Sequence, residues 1–397
     1  MTPASPEESA PVELLPGRRG DVLVLSMRRV ADVVGYVAMY EFEDLVVELL
    51  GADRAAPVTE AALERGRRAY KAVRLLTGSR ALATALTPPV GARQLARDHE
   101  LFLAVFNHPH ELFNLHALGN WRERSRFAAC YICEAWDSNL PEYLLELLGR
   151  FDHVFLGVEG ACDAVGRLTG RPCTYLPMGV DTLRFLPSGP GAPRGIDVCG
   201  IGRRSAVTHR ALLEWAAGTD RFYFYDTMRR GGPQAATTFH VIDPAEHRLL
   251  YSNLLKRSRY FIANRAWADR PSLTRGKDEI AARFYEGAAA GAVMLGDPPD
   301  TDDFRSQFHW PDSVVRTPFD APEIGKVIDA LDADPARVER IRRASVENAL
   351  RHHDWSDRLL RILTTAGIGP TPELQARRTR LGAIADRWAS AKRSGAA

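Results

Sequence analysis

Apolar and polar positions along this chain fall into blocks. Short apolar runs of strand length are each followed by a polar turn and then by a stretch with helical spacing. DVLVLSM (Asp21–Met27), ELFLAVFNHP, AACYICEAWDSN, HVFLGV and CTYLPMGV are the runs of the first half. Continuous apolar runs suit strands buried on both faces, and their alternation with helices predicts βα units on a parallel sheet. Helices are expected over about 30–50 and 59–76, and at HELFNLHAL, LPEYLLELLGRF and EGACDAVGRLTG. The Pro- and Gly-rich stretch DTLRFLPSGPGAPRG (Asp181–Gly195) then breaks the pattern and reads as a linker. After it the alternation restarts. IDVCGIGRR, RFYFYDTM, RYFIANRA, Ala292–Gly296 and SVVRTP are the expected strands. SAVTHRALLEWAAG, PAEHRLLYSNLLKRS and Lys277–Ala290 are the expected helices, and the chain is mostly helical from about residue 321.

This pattern divides the chain into a disordered leader at 1–18, a first domain at 19–182, a linker at 183–195, a second domain at 196–365 and a helical segment at 366–397. The expected class is α/β, with two doubly wound, parallel-sheet, Rossmann-like domains facing a cleft. Sheets of this kind bind ligands beyond the C-terminal ends of their strands. The polar residues just after strands are therefore the ones to weigh.

Composition narrows the function classes. The chain has 397 residues, is 45% hydrophobic and 26% charged, and has a net charge of +2. Nothing in that balance suggests a general attraction to nucleic acid. No apolar run approaches the roughly 20 residues of a membrane span. The start, MTPASPEESAPVELLPGRRG, lacks the apolar core of a signal peptide. Of five cysteines only Cys130 and Cys133 lie close together, within a buried-strand pattern, which favours core cysteines over a metal or redox pair. A reduced, cytoplasmic protein is expected.

Three constellations carry candidate chemistry. Gly200, Gly202, Arg203 and Arg204 follow a strand and open onto a helix that carries Arg210. They either cradle a phosphate or form an ordinary tight turn with solvated arginines. In the stretch around RFYEGAAAGAVML, Asp278 stands as an expected N-cap, and Ala281 and Ala282 would offer free N–H groups to an anion. Glu286 either holds a vicinal diol such as a ribose or is a solvated residue of an amphipathic helix. The small residues from Gly287 to Gly291 would let that helix pack closely on the sheet. In the first half, Asn107, His108 and His110 follow one strand, and Glu134 and Asp137 follow the next. They either handle protons and sugar hydroxyls or are satisfied structural groups. The acidic loop DPPDTDDF reads as a plain turn, and no metal site is expected.

In this order these residues resemble a GT-B glycosyltransferase of the retaining group 1 superfamily, and within it the CgeB-like branch. YLPMGVDTLRFLP is similar to the family's interdomain segment. Asp278 and Glu286 stand where the family has paired glutamates eight apart, with aspartate in the first position. Arg283, Glu286 and Gly291 match a branch element, and Trp355 and Arg358 in HHDWSDRLLRIL resemble its C-terminal echo. The likeness spans about residues 150–365. It implies a nucleoside-diphosphate sugar as donor, UDP-, GDP- or dTDP-linked, with no other cofactor and no metal. Glu286 would bind the ribose. Ala281, Ala282 and Arg283 would face the diphosphate together with Gly202, Arg203, Arg204 and Arg210. Asp278 or Glu279 would contact the transferred sugar. The first domain would bind the acceptor, a small molecule, through Asn107, His110, Glu134 and Asp137, with His108 as a catalytic candidate. Two rivals are an epimerase of the same fold acting on the donor alone, and a non-catalytic protein that binds a nucleotide sugar or a partner.

Overall fold

A computed structural model of the chain describes residues 12–28, 34–57, 60–79, 82, 93–135, 140, 142–227, 241–269 and 278–390. Two compact units emerge. One runs to Leu176 and includes Arg361–Thr371 and the short piece ending at Pro244. The other runs from Pro177, resumes at Ala245–Leu360 and takes in the chain from Pro372 onward. The final helix, Pro372–Ser390, groups with the second unit.

The first unit holds seven strands: β1 (Val12–Leu15), β2 (Val22–Leu25), β3 (Asp53–Pro57), β4 (His99–Phe106), β5 (Ser125–Ile132), β6 (His153–Leu156) and β7 (Cys173–Tyr175). Their order is β1-β3-β2-β4-β5-β6-β7, parallel except for β1, which pairs antiparallel with β3. Leu101–Phe106 and Ala128–Ile132 are fully buried, as continuous apolar runs require in a sheet covered on both faces. Two corrections arise here. Residues 12–15 of the expected disordered leader form a strand, and β3 was not foreseen, because its sequence DRAAP has no apolar run. Cys130 and Cys133 are buried in this core.

The second unit holds β8 (Ile196–Gly200), β9 (Tyr223–Tyr225), β10 (Ser258–Ile262), β11 (Val293–Gly296) and β12 (Val315–Arg316). All pair in parallel, in the order β12-β11-β10-β8-β9. The chain adds strands to one side of β8 and then to the other, so the winding reverses between β8 and β10. Ligands of doubly wound sheets lie at such a reversal. The α/β class with two doubly wound parallel sheets is therefore present. Its core joins Val198, Tyr260, Ile262, Val293 and Leu295 to Ile324, Ile328, Leu331 and Ile341 of the C-terminal helices.

The helix Ala282–Ala290 lies against this sheet as its small residues predict. A Cβ on Gly287 would stand 2.7 Å from Met294 Sδ and 3.0 Å from Phe261 Cδ1. Gly291 closes the helix with φ +60°, and its N–H donates to the carbonyls of Ala288 and Gly287. Among the described residues, no helix is long and apolar enough to cross a membrane.

Candidate functional site

Three segments meet at the reversal in the second unit. After β8 the chain turns through Gly202, whose φ of +84° is in the region that favours glycine. The Gly202 N–H donates to Asp226 Oδ2 at 2.6 Å, so the end of β9 holds the turn. Arg204 Nη1 donates to the Asp226 carbonyl at 2.8 Å. After β10 come Asn264, Arg265 and Trp267. The guanidinium of Arg203 lies 3.6 Å from the centre of the Trp267 ring, which joins the two strand ends across the reversal. Trp267 has φ +54°, a strained value for a bulky residue that costs on the order of 1–3 kcal/mol.

The third segment leads into the helix Ala282–Ala290. It corrects the expected boundary. Helical structure begins at Ala282, with Ala281 as N-cap, and not at Lys277; residues 270–277 lie outside the described residues. Asp278 is therefore not a cap. It precedes the helix and pairs with Arg265 at 3.2 Å, while Arg265 Nε also reaches Asp297 at 3.4 Å. Glu279 is buried. Ala281 supplies no side-chain cap. The N–H groups at the start of the helix are then those of Ala282 and Arg283, one residue later than expected.

The two helix starts near the reversal differ in one respect. The helix Ala206–Ala217 after the glycine turn is capped by Ser205, whose Oγ accepts from Val207 and Thr208 N–H at 3.1 Å each. Ser205 thus occupies the second and third N–H groups of that helix. The start at Ala282–Arg283 is left open. Arg283 reaches back to the glycine turn: Nη2 lies 3.6 Å from where a Gly202 Cβ would stand. Arg210 is exposed on the capped helix.

Glu286 is 5% exposed and not solvated. Oε1 accepts from Arg248 Nη1 in a buried ion pair, and Oε2 accepts from the Tyr251 hydroxyl at 3.1 Å. Burial, and then the Glu286 charge, push the Tyr251 hydroxyl well above its usual titration range. The acidic loop is also accounted for. Thr301 caps the helix Asp302–Gln307, and Arg305 pairs with Asp300 at 2.7 Å and Asp302 at 2.6 Å.

The first unit gathers its own polar group at the corresponding reversal, between β2 and β4. Asn107 is buried after β4, and its Nδ2 lies 3.2 Å from His108 Nε2. His108 Nδ1 lies 3.6 Å from Glu134 Oε2, after β5. The Asn107 N–H and the Tyr36 hydroxyl donate to Glu111. Burial pushes the Glu111 carboxyl up to about 8. His110 is exposed on the short helix Pro109–Ala117, and Asp137 lies outside the described residues. Of the expected first-unit residues, the structure brings together Asn107, His108 and Glu134.

Residues 234–364, about a third of the chain and almost wholly in the second unit, match the family model described as "Glycosyl transferase-like". This unit carries a glycosyltransferase-like domain. Among solved structures the chain is similar to a glycosyltransferase from Rickettsia africae ESF-5, at 10% identity over 88% of this chain and 98% of that one, with a TM-score of 0.47. Anabaena Alr3699/HepE, solved with UDP-glucose, matches at 11% identity over 87% and 99%, also at 0.47. A mutant of S. aureus TarM, solved with UDP among its ligands, matches at 11% over 67% and 55%, at 0.40. No curated protein matches the chain.

Sequence reasoning missed four residues of the glycosyltransferase-like domain and its surroundings: Asp226, Arg248, Tyr251 and Trp267. Arg248 left a signal. It is buried with Ser252 and Leu255 at i, i+4 and i+7 of the helix Pro244–Lys256. An arginine on an inward stripe calls for a buried acid.

Proposed function

We propose that the protein is a glycosyltransferase that moves a sugar from a nucleoside diphosphate to a small-molecule acceptor, without a metal and with retention at the anomeric carbon. Membership of the group 1 superfamily and its CgeB-like branch is part of the same reading, as is a cytoplasmic location. The observation that carries it is the meeting, at one strand-order reversal, of the Gly202 turn, the Arg203–Trp267 stack and the uncapped helix start beside Arg283. Uncapped N–H groups and two guanidinium groups suit a diphosphate. In this reading they stabilise the departing diphosphate, which is where charge accumulates as the glycosidic bond breaks. Glu286 takes ribose hydroxyls on the lone pairs that Arg248 and Tyr251 leave over. Asp278 or Glu279 contacts the transferred sugar. In the first unit His108 handles the acceptor proton, with Asn107, Glu134, His110 and Asp137 as acceptor contacts.

A thermal-shift titration with UDP, GDP, dTDP and ADP, with and without EDTA, tests this. A ligand that binds the native state raises Tm by mass action. The expected result is a shift with one nucleotide, unchanged by EDTA and reduced in Glu286→Ala. No shift with any nucleotide overturns the reading. A shift with no transfer or hydrolysis of the matching donor sugar points to the non-catalytic rival. Conversion of the donor sugar with no acceptor present points to the epimerase.

A further inference from the structure

The carboxylate of Glu286 is held by side chains that no motif announces. Arg248, itself 4% exposed, comes from the helix Pro244–Lys256 and pairs with Oε1. Its guanidinium carbon lies 4.5 Å from the centre of the Phe185 ring, and Phe185 is fully buried at the end of the short helix Thr182–Phe185. Tyr251, one turn further along, packs edge-on to the same ring and bonds Oε2. Three segments distant in sequence thus converge on one carboxylate. A carboxylate this buried is costly without a counter-charge. Phe185 fixes the guanidinium plane, Arg248 supplies the charge, and Tyr251 fixes the second oxygen.

We infer that Arg248, with Tyr251, is the positioning residue that makes Glu286 a reader of ribose hydroxyls, an inference that rests on the donor reading above. An ionised carboxylate offers about four acceptor positions. Arg248 and Tyr251 occupy one on each oxygen. The remaining lone pairs then have a fixed direction, which a vicinal diol can meet and a lone hydroxyl cannot meet as well. Arg248 does not touch the ligand. Its effect appears as selectivity for hydroxyls and not as affinity for the nucleotide as a whole.

The test measures binding of UDP, GDP and ADP, and of their 2′,3′-dideoxy counterparts, to the full chain by calorimetry. Wild type is expected to bind one of the three at least about tenfold more tightly than its dideoxy form, as expected for hydrogen bonds to a charged group. Glu286→Ala should lose that ratio. Arg248→Met should lose it too while its dideoxy affinity stays within about twofold of wild type, a split that a merely structural role would not produce. Arg248→Lys should restore part of the ratio. Should Arg248→Met not fold, Arg248→Lys and Tyr251→Phe decide: both should lower the ratio while the dideoxy affinity holds. Loss of the ratio in Glu286→Ala with full retention in the Arg248 and Tyr251 variants overturns this inference and leaves the donor reading standing. An equal loss for both ligand forms in those variants overturns it as well. A ratio that survives Glu286→Ala overturns both; failure of wild type to bind UDP, GDP or ADP overturns this inference, and the donor reading with it where dTDP fails to bind as well.

Discussion

Arg377, on the final helix, bonds Asp354 through two nitrogens, Nε to Oδ1 at 2.9 Å and Nη2 to Oδ2 at 2.8 Å. The same Nη2 reaches Asp181 Oδ1 at 2.6 Å, and Thr182 donates its N–H and hydroxyl to Asp354 Oδ2. Asp354 is fully buried. Beside it, Val180 N–H donates to the His353 carbonyl and Trp355 N–H to the Val180 carbonyl, while Arg358 bonds the Met178 carbonyl. The segment around Met178–Pro187 and the HHDWSDR stretch are thus one structure. Their joint appearance in the sequence has a physical cause: each supplies the other's hydrogen bonds.

Removing Arg377 leaves a buried carboxylate without its counter-charge. Arg377→Ala is expected to cost about 3–5 kcal/mol in denaturant unfolding. The pH dependence has a definite sign. Burial raises the Asp354 carboxyl, but the bonds and charge of Arg377 outweigh it and hold the group below its usual range. A depressed carboxyl contributes stability above its unfolded value, and that stability is lost as pH falls below about 4. Acid unfolding of Asp354→Asn should therefore depend less on pH below about 4 than that of wild type; an identical profile overturns the assignment.

Gly287 tests the close approach of its helix to the sheet. With Met294 Sδ 2.7 Å and Phe261 Cδ1 3.0 Å from the site of an added Cβ, Gly287→Val overfills the contact. A loss of about 1–3 kcal/mol is expected, read as a lower denaturant midpoint. A midpoint equal to wild type would show that the helix can move off the sheet freely.

Legibility followed the physics of each level. DVLVLSM, ELFLAVF and AACYIC announced their strands because a strand buried on both faces must be apolar throughout, and β3 stayed hidden because Asp53 and Arg54 lie within it. At the site, glycine and acid positions were legible from spacing. Their partners were not, since Asp226, Arg248 and Trp267 come from other βα units and only tertiary packing brings them near. The cap at Asp278 failed for a related reason. An acid before a helix looks the same in sequence whether it caps the backbone or pairs with Arg265.

Glu43 offers a second pH test, in the first unit. It is completely buried on the helix Val37–Leu50, and Ser26 Oγ donates to its Oε2. Burial raises its carboxyl to about 7, with Arg28 at 3.6 Å acting in the opposite direction. The folded state then holds a proton that the unfolded state has released. Stability from this group is present below the unfolded value near 4.5 and is lost as pH rises toward 7. Glu43→Gln should flatten the fall in Tm between about pH 5 and 8. A Gln variant that keeps the wild-type slope would assign the slope to other groups.

Arg203 and Trp267 are expected to act as one unit in donor binding. A stacked guanidinium gains about 1–2 kcal/mol from the ring when water is excluded. Its main effect here is to hold a flexible charge in place between the ends of β8 and β10. Arg203→Ala should weaken binding of the preferred nucleoside diphosphate by about tenfold or more and reduce its salt dependence, since a charge-assisted contact is lost. Trp267→Ala should weaken it less, because the charge remains but is no longer fixed. Once Arg203 is absent the ring has nothing to position, so the double variant should bind no worse than Arg203→Ala alone. Strictly additive losses would mean that Trp267 touches the ligand itself, by stacking on the base, and would turn the pair from a diphosphate clamp into two separate contacts.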